Sequence, residues 1–253
     1  MDQTSVRLRN VYKKTLSPKG AKEVRVVQPP GDPESITVCH TISADGTKFP
    51  ASIVFKGNAK PGKLSSRILK KLVVPENVRI FSTNSGWWDA SFDLHWIKET
   101  FDDTHAGGCV VRDRAPAHCK VESHLLFEEM RIEQVLIPAG LTGTYQPLDV
   151  GVNHPFKCYM RRSYHAWRDQ RTEMTKKGYL KKPGRQDFID FASEAWEKFK
   201  VTTVGNSFVG AQIMPEPLCM LASQEVLVED SDDLDSAFEC SFSSLESEGW
   251  EEE

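Results

Sequence analysis

An α/β fold, with a mixed sheet flanked by helices, follows from three features of this 253-residue sequence. Its first half holds short β-branched and apolar runs separated by turn residues, the pattern of strands. Residues 109–137 read as strand, helix, strand, which implies a crossover and parallel pairing. Residues from about 150 to 175 and from about 185 to 199 read as two helices.

The elements can be taken in order. Residues 4–34 are polar and turn-rich around Ser17-Pro18-Lys19-Gly20 and Pro29-Pro30-Gly31-Asp32-Pro33, with a short strand Val24–Val27 between. Ile36–Ile42 is β-branched and reads as a strand, Ala51–Phe55 as the next, with Asp45-Gly46 as the turn joining them. Residues 57–66 form a Gly/Lys/Pro/Ser loop. Asp89 stands where it caps a helix over Ala90–Thr100, whose buried side takes Phe92, Leu94, Trp96 and Ile97. Cys109–Arg112 is an apolar run after two glycines and reads as a buried strand. A helix over 119–129 follows, then a strand Gln134–Ile137 stopped by Pro138. Beyond Phe208 the pattern fades.

Composition narrows the function classes. The chain is long enough for one substantial core plus an appendage. No apolar run approaches the ~20 residues needed to span a bilayer, and the start has no signal-peptide pattern. The six cysteines (39, 109, 119, 158, 219, 240) show no C-x-x-C spacing. Cys39, Cys109 and Cys158 sit among strand or helix residues, as packed, reduced thiols of an intracellular protein do. His118 and Cys119 are adjacent but have no second pair at ligand spacing, so zinc is not expected.

The net charge of −4 hides a division. All 32 basic residues lie at or before Lys200, against 23 acids there, which gives a body of +9. The remaining 13 acids follow with no base, a tail of −13. A basic body suits a polyanion, and an acidic, base-free segment suits disorder.

Three isolated carboxylates carry the chemical signal. Asp2 stands in Met1-Asp2-Gln3-Thr4-Ser5-Val6. Asp113 ends Gly107-Gly108-Cys109-Val110-Val111-Arg112 and precedes Arg114-Ala115-Pro116-Ala117-His118. Asp149 lies in Gly143-Thr144-Tyr145-Gln146-Pro147-Leu148-Asp149-Val150-Gly151-Val152. Each alone reads as a turn or cap residue. Together, brought to one place by folding, they would hold a divalent metal.

These segments resemble the DDE superfamily of transposases, in the pogo/Tigger/jerky branch, whose aspartates lie in Asn-x-Asp-x-Thr-Gly-like, Asp-Asn-Ala-Pro-x-His and Gln-Pro-Leu-Asp-x-Gly strings. Ser43-Ala44-Asp45-Gly46-Thr47-Lys48-Phe49-Pro50, Ile53–Gly57, Asn84-Ser85-Gly86-Trp87-Trp88-Asp89, Gln186–Asp190 and Ala195-Trp196 match further blocks in family order. The resemblance implies a ribonuclease-H-like core, with Asp2, Asp113 and Asp149 as catalytic ligands of Mg²⁺ or Mn²⁺ for cutting and rejoining DNA. It implies a DDE domain over 1–213 that lacks its first strand, and an acidic disordered tail over 214–253.

Several departures count against activity. The strand expected to carry Asp2 into the sheet is missing ahead of it, and Arg114 replaces the family's Asn. Ala139-Gly140-Leu141-Thr142 stands for Pro-Asn-x-Thr, and no helix-turn-helix region precedes the domain. Two classes therefore compete: a metal-dependent DNA endonuclease or strand transferase, and a domesticated, non-catalytic nuclear protein that binds DNA and other proteins.

Two surfaces suit partners. Ten Lys/Arg lie between Lys157 and Arg185, interleaved with Phe156, Tyr159, Tyr164 and Trp167. Lys157, Arg161, Arg162 and Arg168 form a candidate DNA-binding face, largely blind to sequence. In the tail, Val226-Leu227-Val228 precedes Glu229-Asp230-Ser231-Asp232-Asp233 and resembles a SUMO-interacting motif. Nuclear location follows from a DNA partner, and no membrane role is expected.

Overall fold

A computed structural model of the chain describes residues 1–8, 35–57, 62–171, 173–176 and 181–215. Strand β1 (Asp2–Arg7) pairs antiparallel with β2 (Ser35–His40), from Asp2↔His40 to Arg7↔Ser35. β2 pairs antiparallel with β3 (Ala51–Lys56), and β3 pairs parallel with β4 (Val78–Thr83). The β2–β3 connection turns at Gly46, whose φ of +91° falls where only glycine sits without strain.

A helical turn, α1 (Ser66–Leu69), lies on the way to β4. Strand β5 (Cys109–Asp113), helix α3 (Val121–Glu129) and strand β6 (Glu133–Ile137) form a parallel pair with its crossover helix. The Met1 amino group donates to the Val111 carbonyl at 2.8 Å, which sets β5 beside the start of β1. An antiparallel trio followed by a parallel strand–helix–strand unit at the β1 edge is the ribonuclease-H-like layout.

The pleat distributes the core. β2 and β3 are buried almost throughout because both sheet faces are covered. Neighbouring residues therefore serve opposite cores. Val38 and Ile53 pack with Phe156, Met160, Ile189 and Trp196 of helices α6 (Asn153–Asp169) and α7 (Arg185–Glu197). Cys39 and Val54 join Phe81, Phe92, Trp96 and Phe127 on the side of α3 and of α2 (Ala90–Thr100).

Helix α2 starts where its cap predicts, the Asp89 carboxylate accepting from the Phe92 N–H at 2.9 Å. Asp89→Ala should cost about 1 kcal/mol. For a domain of this size that lowers the thermal midpoint by roughly 2–4 °C. An unchanged melting curve would show that the cap bond contributes nothing.

Between β6 and α6 lie α4 (Thr142–Tyr145) and α5 (Pro147–Gly151), the latter with proline in its first turn. α5 packs against α8 (Val201–Gly210) at close range. A Cβ on Gly151 would meet Ser207 Cβ at 2.8 Å, and one on Gly210 would meet Val150 Cγ1 at 2.9 Å. Glycine is what lets these two short helices touch.

Several expectations need correcting. The first strand is not missing: β1 begins at Asp2 itself, its ladder to β2 running the strand's full length. The strand β4 was not anticipated. The long helix expected from 150 is broken at Val152 (φ −124°, ψ −51°), and α6 ends at Asp169. On α2 the fully buried polar residue is Asp93, whereas Leu94 is only half-buried. Cys39 and Cys158 are buried, but Cys109 and Cys119 are exposed. The Val24–Val27 strand, Val226-Leu227-Val228 and the tail beyond residue 215 lie outside the described residues. Among those residues no helix is long and apolar enough to cross a membrane.

Candidate active site

Residues four apart on a helix share a face, and Asp149, Asn153, Lys157 and Arg161 follow that spacing across the α5–α6 junction. The start of β1 lies against this ridge. Asn153 Nδ2 donates to Asp2 Oδ2 at 2.5 Å and to Asp149 Oδ1 at 2.9 Å. One amide thus holds two carboxylates side by side. Its own oxygen is 3.1 Å from His40 Nδ1, and an acceptor there fixes the imidazole proton on Nδ1. His40 is buried, stacked on Trp196 at 4.5 Å between centroids and edge-on to Phe156.

Electrostatics follow from this crowding. Burial, then the charges of Asp149 and Asp113, push the Asp2 carboxyl up to about 7. Burial holds His40 down at about 4, so it is neutral near pH 7. Burial lowers Lys157, while the charges of Asp149 and Asp2 act in the opposite sense.

Asp113 closes β5 and turns toward His118. The imidazole Nδ1 is 2.7 Å from Asp113 Oδ1 and 3.1 Å from the Asp113 carbonyl oxygen. On the far side of the ring, the Gln3 amide lies 2.9 Å from Nε2. If that amide donates, the ring proton is left on Nδ1 to face Asp113. Burial alone would raise Asp113, but the His118 bond and charge together with the Ala115 N–H bring it below the usual range.

Beneath His118 is a buried polar network. Asp93 accepts from Arg112 Nη2 at 2.8 Å, Ser123 Oγ at 2.7 Å and Trp88 Nε1 at 2.9 Å. Its Oδ1 is 3.8 Å from His118 Nε2. Both members of the Arg112–Asp93 ion pair are fully enclosed. β1, β5, α2 and α3 are thereby tied together at one end of the sheet.

The fold brings Asp2 and Asp149 together, their oxygens within the sum of two hydrogen bonds, and sets Asp113 near enough to act on Asp2. Oxygen donors and the mutual repulsion of the acids suit a hard divalent cation. Among the described residues, however, no three His, Cys, Asp or Glu side chains approach closely enough to hold a metal ion. The Asn153 amide occupies the position between two of the acids. Arg114 is exposed, and the partner of Asp113 is His118.

Of the candidate DNA-binding cations, Lys157 and Arg161 line a pocket beside this site. The Arg162 guanidinium lies over the Tyr159 ring, and Arg168 Nη1 donates to the Arg171 carbonyl. Sequence reasoning missed Asn153, His40, Asp93 and Arg112. For Asn153 the signal was available, since it stands four residues after Asp149.

Residues 34–208 match the model of the DDE superfamily endonucleases, well over half of the chain. The chain belongs to the DDE superfamily. Asp113 and Asp149 lie inside the matched stretch and Asp2 ahead of it. The DDE chain is also 25% identical over 214 residues to the pogo transposable element with KRAB domain of Homo sapiens, and equally to that of Mus musculus. This places it with the pogo-like, transposase-derived members. The alignment takes in 82% of this chain but only 34% of each relative, so the DDE chain spans about a third of their length. Among solved structures, the Mos1 transposase paired-end complex with left transposon end matches at a TM-score of 0.37 and 13% identity. That match covers 81% of this chain and 54% of the other.

Proposed function

We propose that this DDE domain binds DNA and carries the ligand set of a divalent-metal-dependent endonuclease or strand transferase, with Asp2, Asp113 and Asp149 as ligands. The observation that supports the reading is the Asn153 amide joining Asp2 and Asp149, with Asp113 close enough for its charge to act on Asp2. Mg²⁺ or Mn²⁺ bound there would supply activation of the attacking oxygen and stabilisation of the leaving one in phosphoryl transfer. The protein's own groups set the stage. Asn153 holds Asp2 and Asp149 in line, His40 fixes the amide, and His118 orients Asp113. Lys157 and Arg161 continue the ridge as phosphate contacts. The order of β1 removes the objection that Asp2 sits on a frayed end.

A second reading, a domesticated non-catalytic nuclear protein, draws on the absence of a closed three-ligand group among the described residues. In either reading the nucleus is the proposed location, and Val226-Leu227-Val228 is the proposed SUMO-type contact. Titration with Mn²⁺, paired with nicking of supercoiled plasmid, separates the two. The wild type is expected to bind Mn²⁺, with Asp113→Ala and Asp149→Ala each weakening binding by at least roughly tenfold. No Mn²⁺ binding by the wild type sinks the ligand assignment. Binding without nicking favours the second reading.

A further inference from the structure

The acidic end of the α5–α6 ridge gives way, one helical turn on, to a pocket of about 270 Å³ lined by Ser5, Val6, Arg7, Trp87, Lys157 and Arg161. Its floor comes from the end of β1, one wall from α6 and the other from the turn between β4 and α2. Three features set it apart from an ordinary basic surface.

The first is Trp87, about half exposed, whereas Trp96 and Trp196 are fully buried. An indole left in solvent is available for stacking. The second is the rigidity of the turn that presents it. Thr83 Oγ1 donates to the Trp87 carbonyl at 2.9 Å and accepts from the Gly86 N–H at 3.0 Å. Thr37 Oγ1 donates to the Gly86 carbonyl at 3.0 Å, which pins the turn to β2. Gly86 has φ +78°, and a Cβ there would stand 3.3 Å from the Lys56 backbone nitrogen, so the turn fits closely over β3. The third is Ser5 Oγ, buried and without a hydrogen-bond partner.

Cations, a fixed indole and an unsatisfied hydroxyl around one small cavity match the parts of a nucleotide: phosphate, base and sugar. Aromatic platforms beside cationic grooves are how proteins hold unpaired strands. A duplex buries its base faces in its own stack and offers none to Trp87. From Asn153 to Arg161 the ridge rises about 12 Å, at ~1.5 Å per residue. At ~3.4 Å per nucleotide of a strand that is three to four nucleotides.

We propose that this pocket is a subsite for an unpaired nucleotide of a DNA strand, its base stacked on Trp87 and its backbone held by Arg7, Lys157 and Arg161, a few nucleotides from the carboxylate centre. The inference rests on the DNA-binding reading above and sharpens it: the strand is single or locally opened where it passes the site.

The test uses the full chain with three labelled probes, namely a 12-residue oligothymidylate, the same oligomer with abasic sites throughout, and a 12-base-pair duplex. Trp87→Ala is expected to weaken oligothymidylate binding roughly tenfold, the lower part of the 1–3 kcal/mol that one stacked base contributes. Trp87→Phe should recover most of that loss. The abasic oligomer should bind wild type and Trp87→Ala alike, and intrinsic fluorescence should be quenched by the oligothymidylate only when Trp87 is present. Because Trp87 is exposed, circular dichroism melts of the variants should match the wild type.

Equal oligothymidylate affinity for Trp87→Ala and wild type overturns the subsite while leaving DNA binding intact. So does an equal loss against the abasic probe. Thymidine monophosphate binding as tightly as the oligomer assigns the pocket to a free nucleotide and overturns the strand. Failure of the wild type to bind any of the three probes overturns the DNA-binding reading, and the subsite with it.

Discussion

Asp93→Ala is expected to destabilise the protein by about 3–5 kcal/mol, because it strands a buried guanidinium. Arg112 and Asp93 are both fully enclosed, and the carboxylate also serves Ser123 and Trp88. Two Arg112 nitrogens already lack hydrogen-bond partners, so there is no spare acceptor to take over. A domain typically has ~5–15 kcal/mol in all, so such a loss consumes about a fifth of it or more. Removing both charges should be milder: in Asp93→Ala/Arg112→Met no ion is left uncompensated, and part of the stability should return. Urea denaturation of the two variants checks this. A single mutant as stable as wild type would mean the pair is not buried in solution.

The second large effect concerns pH, and the wild type should hide it. Asp2 is raised to about 7 in the folded protein, so between about 4 and 7 the native state holds a proton that the unfolded chain has released. Its contribution is complete below the unfolded value and is lost as pH climbs through 7. His40 does the reverse. Its folded value is about 4, so between about 4 and 6.5 the unfolded chain holds the extra proton, and stability rises with pH. At ~1.4 kcal/mol per unit the Asp2 shift is worth about 4 kcal/mol and the His40 shift about 3 kcal/mol. The slopes oppose over the same window, so the parent protein should be nearly flat from pH 4.5 to 6.5. Asp2→Asn should expose the histidine slope, with stability climbing as pH rises. His40→Phe, which keeps a ring on Trp196, should expose the aspartate slope, with stability falling. Chemical denaturation at four pH values suffices. Two variants with parallel pH profiles would show that these groups do not titrate as buried residues.

Much of the frame was readable in the sequence. β-Branched and apolar runs marked β2 and β3, and Asp89 marked the start of α2 to the residue. The three family strings led to the acids that the fold gathers near one another. Most of what escaped was set by tertiary context. β4 was legible but overlooked: Val78, Ile80, Phe81 and Thr83 all favour a strand, and only its parallel pairing with β3 lay beyond the sequence. The pairing of Asp93 with Arg112 was not legible, because their burial is tolerable only with each other and with Ser123 and Trp88. Asn153 lay one helical turn from a recognised acid, but its role as a clamp depends on β1 arriving across it. β1 was thought missing because its strand was sought ahead of Asp2, whereas the ladder runs the other way along the chain.

The close seat of α5 on α8 has a mechanical consequence. Asp149 is carried by a five-residue helix too short to hold its own shape in water, and Val152 uncouples it from the stiffness of α6. What steadies it is the Gly151–Ser207 and Val150–Gly210 junction. The last helix of the body is therefore a strut for the third acid, and the chain that follows Gly210 is anchored directly to that strut. A substitution that loosens α8 should loosen Asp149 as well, although no residue of α8 is acidic.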